Sequence, residues 1–259
     1  MTPKGSPMDL NLSGLNALVT GASKGIGLAT ARTLAQEGVQ VTLVARDCDR
    51  LADAAAQIEG DTGLRPDVVA ADLATREGVE RVAARETPVD ILVNNAGAIP
   101  PGDLASIDED RWRAAWDLKV FGYINMTRAL APRIAERGGV IVNVIGAGGE
   151  ALSADYICGA VGNAALMAFT RAYAKQFNSM GGRIVGLNPG LVATERMQVF
   201  LKSRAAAELG DEGRADELTR GLPYGRAADP QEVADAVAFL ASPRSGYTNG
   251  TILSLHGGG

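Results

Sequence analysis

Thr20-Gly21-Ala22-Ser23-Lys24-Gly25-Ile26-Gly27 is the stretch that decides how this chain folds. An apolar run at 15–20 leads straight into it, and an Ala-rich helical pattern starts near Gly25. Strand, glycine-rich turn and helix in that order make the first half of a βαβ unit. The free N–H groups and dipole of such a helix N-terminus favour a phosphate. Glycines at 21, 25 and 27 let the backbone turn sharply and come close to a pyrophosphate. A second strand-like run at 40–45 follows at the spacing a dinucleotide-binding unit needs, which makes a weak glycine pattern a strong one.

Outward from that turn, short β-branched runs alternate with longer amphipathic stretches, the pattern of a parallel sheet. Strands are predicted at 15–20, 40–45, 67–71, 89–94, 139–145, 182–188 and 251–255, and their continuous apolar character predicts helices on both faces. Helices are predicted at 25–37, 48–59, 75–86, 108–136, 155–178 and 230–241. Gly38 stops the first of them, and Asp229-Pro230 opens the last with a cap and an N1 proline. Residues 1–11 read as a loose leader and 12–259 as one domain. The rhythm breaks at 191–222, rich in Ala, Glu, Arg and Met, which reads as a helical lid over the substrate. An oligomer contact or a solvated helix pair would have the same composition.

With 259 residues, 46% of them hydrophobic and 21% charged, the chain has ordinary globular composition. A net charge of −5 without a basic run speaks against nucleic acid or an anionic membrane surface as partner. No apolar run reaches the roughly 18 residues of a membrane span. Cys48 and Cys158, the two cysteines, sit in no paired motif, as expected of a reduced, cytoplasmic protein. No His, Cys and carboxylate cluster has metal-ligand spacing, so no metal is expected. His256 is the one histidine and lies in the closing strand, away from any nucleophile.

The tip of the second strand bears on the nucleotide. NAD-binding units place an acid there to hold the ribose 2′-hydroxyl. This chain has Val44-Ala45-Arg46 instead, with Lys24 in the glycine turn. Two cations in reach of a 2′-phosphate favour NADP(H). Asp47 follows at once and leaves NAD(H) possible, and Arg46 could also be a plain solvated loop residue.

Asn94-Asn95-Ala96-Gly97 ends the fourth strand, at the sheet edge where ligands of such folds bind. With the glycine turn, these residues give the chain a clear resemblance to the short-chain dehydrogenase/reductase family over residues 12–257. The resemblance implies a Rossmann-type doubly wound sheet of about seven strands, often assembled as a homotetramer or homodimer. It implies cofactor contacts from Gly21, Ser23, Lys24, Gly25, Ile26 and Gly27 in the turn, Arg46 after the second strand, Asp72 and Leu73 at the adenine, and Asn94, Ala96 and Gly97. On the nicotinamide side it implies Pro189, Gly190, Val192 and Thr194, with Tyr156.

The catalytic set is where the chain departs. In the family a tyrosine passes the proton, a serine holds the substrate oxygen, a lysine four residues after the tyrosine lowers its pKa, and an asparagine on the preceding helix completes a relay. Tyr156 matches the tyrosine, Ala160 falls at the lysine position, Gly146 at the serine position and Lys119 at the asparagine position. Free tyrosine titrates near 10, so a nearby cation would make it useful near neutrality. Lys119 is the candidate to supply that charge; the alternative is that it turns to Asp117 or to solvent. Ser153 and Asp155 could stand in for the serine, or simply cap the next helix.

Two functions follow. One is an NADP(H)-dependent oxidoreductase acting on a carbonyl or alcohol through Tyr156, its substrate a medium-sized, mostly apolar small molecule under the insert. The alternative is a nucleotide-binding pseudoenzyme or partner subunit. A lyase or isomerase on the same scaffold is a third possibility.

Overall fold

The computed structural model describes residues 8–258. Among them, seven strands form one parallel sheet in the order β3-β2-β1-β4-β5-β6-β7. β1 (Asn16–Thr20) pairs with β2 (Gln40–Ala45) and β4 (Ile91–Asn94). β3 (Asp67–Ala70) closes one edge; β5 (Val140–Val144), β6 (Arg183–Pro189) and β7 (Ile252–Leu255) complete the other. The order reverses direction between β1 and β4, which opens a crevice at the carboxyl ends of those two strands.

The apolar strands are buried because helices cover both faces. α1 (Gly25–Gln36), α2 (Cys48–Thr62) and α9 (Pro230–Ala241) pack on one face, over a core that includes Val19, Leu43, Val93 and Val142. The other face carries α3 (Arg76–Ala83), α5 (Gly122–Ala135) and α7 (Ile157–Ser179), over Leu18, Leu92, Ile141 and Ile184. This is the doubly wound α/β architecture expected. Strand ends fall within two residues of the predicted ones. The leader assigned to 1–11 lies largely outside the described residues.

One predicted element has to be corrected. The helix at 108–136 is α4 (Glu109–Trp116) and α5 joined by a π-helical turn, Asp117–Phe121. The extra residue per turn widens the helix locally, and such turns gather at functional sites. Lys119 sits in the middle of it. The 191–222 insert forms α8 (Glu195–Leu209), a 3-10 stretch Glu212–Thr219 and connecting loops; a four-residue helix, α6 (Gly148–Ala151), follows β5.

Candidate active site

The glycine turn is held shut by Asn95. Its Nδ2 donates to the carbonyls of Thr20 and Gly21, at 3.0 and 3.3 Å, and its backbone N–H donates to Thr20 Oγ1. Gly27 lies against this arrangement: a Cβ there would stand 2.6 Å from Asn95 Nδ2 and closer still to the Gly21 carbonyl. Only glycine allows α1 to begin that close to β1. Lys24, the N-cap of α1, has no side-chain bond to the first turn, and that turn contains no acid. The first-turn N–H groups are thus left for an anion, and the turn fits a pyrophosphate.

Beside it opens a cleft of about 430 Å³ whose walls include Ser23, Lys24, Arg50, Asp53 and Gln57. Arg46 is exposed at the tip of β2. Arg50, which has no counterpart among the residues singled out from the sequence, faces the same cleft from the first turn of α2. Asp47 serves the fold: it caps α2 through the Arg50 N–H and pairs with the Arg50 side chain at 3.4 Å. Thr194 caps α8, and its methyl lies 3.2 Å from where a Gly25 Cβ would be, so the insert begins on the glycine turn. Lys24 reaches Glu195 at 3.8 Å, an exposed pair of little energetic weight.

Further along the sheet edge the predicted site residues divide. Asp72 turns its Oδ1 to the Ala74 N–H, ordering the loop after β3, and Leu73 is buried. Asn94 is fully buried, with Nδ2 donating to Asn143 Oδ1 and Thr127 Oγ1; Asn143 in turn donates to Thr170. Its side chain therefore ties β4 to β5 and α5, and only its backbone faces the crevice edge. Pro189 ends β6, Gly190 follows against His256, and Val192 bridges to Ala228. A cavity of about 410 Å³ lies there, between Leu191 and Leu222 of the insert, Tyr224 just after it, Leu255 at the end of the last strand, and His256.

Lys119 goes neither to Asp117 nor to solvent. It is 8% exposed and runs inward beneath Gly97, whose Cβ would stand 3.6 Å from Nζ. The ammonium donates to the Val144 carbonyl at 2.9 Å and to Tyr123 Oη at 3.0 Å; Tyr123 also donates to Val144, at 2.7 Å. Both acceptors are neutral. Burial lowers the Lys119 pKa to about 7 and raises that of Tyr123. Val144 is the last residue of β5, so Lys119 pins the strand end from which the loop at Gly146 departs.

Tyr156 is the N-cap of α7 and precedes its first turn. Its ring runs forward along the helix and lies over Gly159. A Cβ at Gly159 would be 2.6 Å from Tyr156 Oη and nearer still to Cε1 and Cζ. The ring also touches Gly148, whose Cβ would be 3.0 Å from Cδ1 and Cε1. Asn163, one turn beyond Gly159, faces the same loop, and the three atoms nearest a Gly146 Cβ all belong to it. The helix face that meets the end of β5 thus carries Gly159 and Asn163. Counting four residues from Tyr156 leads to Ala160, which is buried, and stops short of Asn163. The stand-ins also settle into structure: neither Ser153 nor Asp155 caps α7, and Ser153 Oγ accepts from the Asp155 N–H. Among the described residues, no group of three His, Cys, Asp or Glu side chains could hold a metal ion, and no helix is long and apolar enough to cross a membrane.

A family model described as enoyl-(acyl carrier protein) reductase matches residues 21–259. The 3-oxoacyl-[acyl-carrier-protein] reductase FabG of Vibrio cholerae is 35% identical, over 96% of this chain and 98% of its own. L-sorbose reductase from Gluconobacter frateurii, solved with NADPH and L-sorbose, superimposes with a TM-score of 0.91 at 33% identity, covering 96% of this chain and 98% of its own. An NADPH-bound short chain oxidoreductase of Pseudomonas aeruginosa PAO1, described as containing an atypical catalytic center, superimposes with a TM-score of 0.85 at 30% identity, covering 94% of this chain and 96% of its own.

Proposed function

The chain belongs to the short-chain dehydrogenase/reductase family, and on that premise we propose that it is an NADP(H)-dependent oxidoreductase interconverting a ketone and an alcohol, with the Tyr156 hydroxyl as proton donor and acceptor. The observation that carries this reading is the seat of Tyr156. A side chain from outside the helix lies over a residue that has none, at the carboxyl edge of the sheet and beside the loop after β5. A phenol held there can pass a proton to an oxygen in the crevice.

The dinucleotide, when bound, supplies or receives the hydride. The turn from Gly21 to Gly27 would hold its pyrophosphate, and Asp72 and Leu73 would line the adenine. Ala96, Gly97 and the backbone of Asn94 would border the ribose, and Pro189, Gly190, Val192 and Thr194 the nicotinamide side. Lys24, Arg46 and Arg50 surround the position suited to a 2′-phosphate, which favours NADP(H) over NAD(H). Tyr156 gives its proton to the carbonyl oxygen during reduction and recovers one from water. Lys119 acts from beneath as a positioning residue: it fixes the end of β5 through Val144 and adds a charge that titrates within the working range.

The relatives suggest the first ketones to try. A panel of a 3-oxoacyl thioester, L-sorbose and an apolar cyclic ketone, each with NADPH and with NADH, would test the reading. Tyr156→Phe should lower kcat by at least about 100-fold, in the range a positioned general acid supplies, and leave NADPH binding intact. Equal turnover by this variant and the wild type would refute the assignment.

A further inference from the structure

The buried asparagines around the site differ in one respect. Asn94, Asn143 and Asn188 each commit their amide N–H groups, to Thr127 and Asn143, to Thr170, and to Glu150 respectively. Asn163 is equally buried, at 3% exposed, yet its Nδ2 makes no hydrogen bond among the described residues, and its Oδ1, like those of Asn94 and Asn188, has no partner there either. Its Nδ2 stands 2.9 Å from the point a Gly146 Cβ would occupy and 3.6 Å from that of Gly148. Gly146 has φ +132, a conformation that strains any side chain, so the Asn163 amide meets bare backbone at this loop. The Tyr156 ring and the Asn163 amide both lie against the neighbouring Gly148.

A buried amide that makes no structural bond is a cost to folding of about 1–3 kcal/mol for each group left unpaired. Its position gives the amide a use. As a ketone is reduced, the π electrons of the carbonyl move onto oxygen while the carbon gains its hydride. The oxygen then takes the proton from Tyr156, and the phenolate is reprotonated by water. A second donor aimed at that oxygen stabilises the charge as it develops, and a neutral amide does so at every pH without surrendering a proton. Side chains four apart on a helix lie about 5–6 Å from each other at Cβ, so the hydroxyl over Gly159 and the amide of Asn163 reach the same small region.

We propose that Asn163 is a catalytic residue: its Nδ2–H donates a hydrogen bond to the substrate carbonyl oxygen beside the Tyr156 hydroxyl, at the loop that Gly146 leaves without a side chain. This rests on the reductase reading above. The test uses the full chain, NADPH, and whichever ketone of the panel the wild type reduces fastest. Asn163→Ala and the isosteric Asn163→Asp, which replaces the donor with an acceptor, should each lower kcat by about 100- to 1,000-fold, the range for loss of one such donor. NADPH affinity, measured by fluorescence titration, should change less than about threefold, because the amide acts on the substrate.

A second readout separates a bond to the oxygen from a structural role. With the ketone labelled with ¹³C at its carbonyl and bound beside NADP+, which carries no hydride to give, the carbonyl stretch should be lowered in the wild type. It should return part of the way toward its solution value in Asn163→Ala and in Tyr156→Phe separately. Wild-type turnover together with an unchanged kcat in Asn163→Asp, or an unshifted stretch in Asn163→Ala, would overturn the assignment of Asn163 alone. No turnover of any ketone by the wild type would overturn the reductase reading and this inference with it.

Discussion

Gly159→Ala should uncouple stability from activity, because the Tyr156 ring needs the space a methyl would fill. A Cβ at 159 would stand 2.6 Å from Tyr156 Oη, and Cε1 and Cζ are nearer still. Carbon atoms pack at about 3.5–4.0 Å, so the ring must retreat by more than about 1 Å. It is able to: Tyr156 is half-buried and precedes the first turn of α7, so the fold itself is not forced. A reacting group displaced by about 1 Å costs on the order of 100-fold in rate, or about 2.7 kcal/mol of barrier. Helix propensity works the other way, since alanine inside a helix is worth about 0.5–1 kcal/mol over glycine. Part of that gain offsets the packing lost as the ring moves. The net change in stability should stay within about 1 kcal/mol, a shift in Tm of roughly 2–4 °C. Ketone-dependent oxidation of NADPH gives the rate, and a thermal melt gives the stability. The expected result is kcat/KM down about 100-fold with Tm nearly unchanged. If Gly159→Ala keeps wild-type kcat/KM while Tyr156→Phe is inactive, the hydroxyl does not act from its seat over Gly159, and the argument fails.

Removing the buried cation should alter stability in a pH-dependent way. The folded pKa of Lys119 is lowered from 10.5 to about 7, so between those values the unfolded chain holds the extra proton and stability rises with pH, by at most about 1.4 kcal/mol per unit. Below about 7 both states are protonated and the penalty of the buried charge is fully present. Lys119→Met should therefore be most stabilising relative to the wild type near pH 6 and progressively less so toward pH 9, read from urea midpoints; a constant difference would contradict a buried, titrating ammonium. In activity, a wild-type inflection near pH 7 should be missing from the Lys119→Met profile of kcat. For the cofactor, Arg46→Ala and Arg50→Ala should each raise the KM for NADPH about 10-fold or more and leave that for NADH within about twofold, as expected for the loss of a charge-assisted bond to a 2′-phosphate. Equal effects on both cofactors would remove those arginines from the phosphate site.

The sheet was legible because its determinants are local. Apolar strand runs, the glycines at 21, 25 and 27 and the Asp229-Pro230 cap each fix a conformation within a few residues, and every strand lies within two residues of its predicted ends. The catalytic end was harder to read because its determinants act across the chain. Counting along α7 from Tyr156 assigns the lysine place to Ala160. In space the ring reaches three residues forward, and Asn163 meets Gly146 from another element. No periodicity records that a side chain leaves its own position to lie over a neighbour. Lys119 could be picked out because it falls at the asparagine position of the family pattern, but the π turn that carries it inward has no local signature. Arg50 was missed because it also pairs with Asp47, as a helix-capping residue would.

Several unfavourable terms of this fold gather at the carboxyl edge of the sheet, with others on α1 at Thr30 and at the start of β6 at Arg183. A buried ammonium bonded only to neutral oxygens sits at the ends of β4 and β5. Asn94, Asn163 and Asn188 each bury a side-chain oxygen without a partner, at the end of β4, on the helix facing β5 and near the end of β6. Gly146 leaves the sheet at φ +132 between them. Each of these lowers stability, and the apolar core filled by residues such as Leu43, Leu92 and Phe177 does not require them. A decayed site could relax by replacing the lysine and the unbonded asparagine with apolar side chains, since a buried charge is readily exchanged for hydrophobic packing at no loss of stability. Costs of this kind, gathered along the one edge of the sheet where a dinucleotide and its substrate would meet, are what a working site carries and a retired one need not. That grouping, together with the seat of Tyr156, supports the proposal of a rebuilt active site.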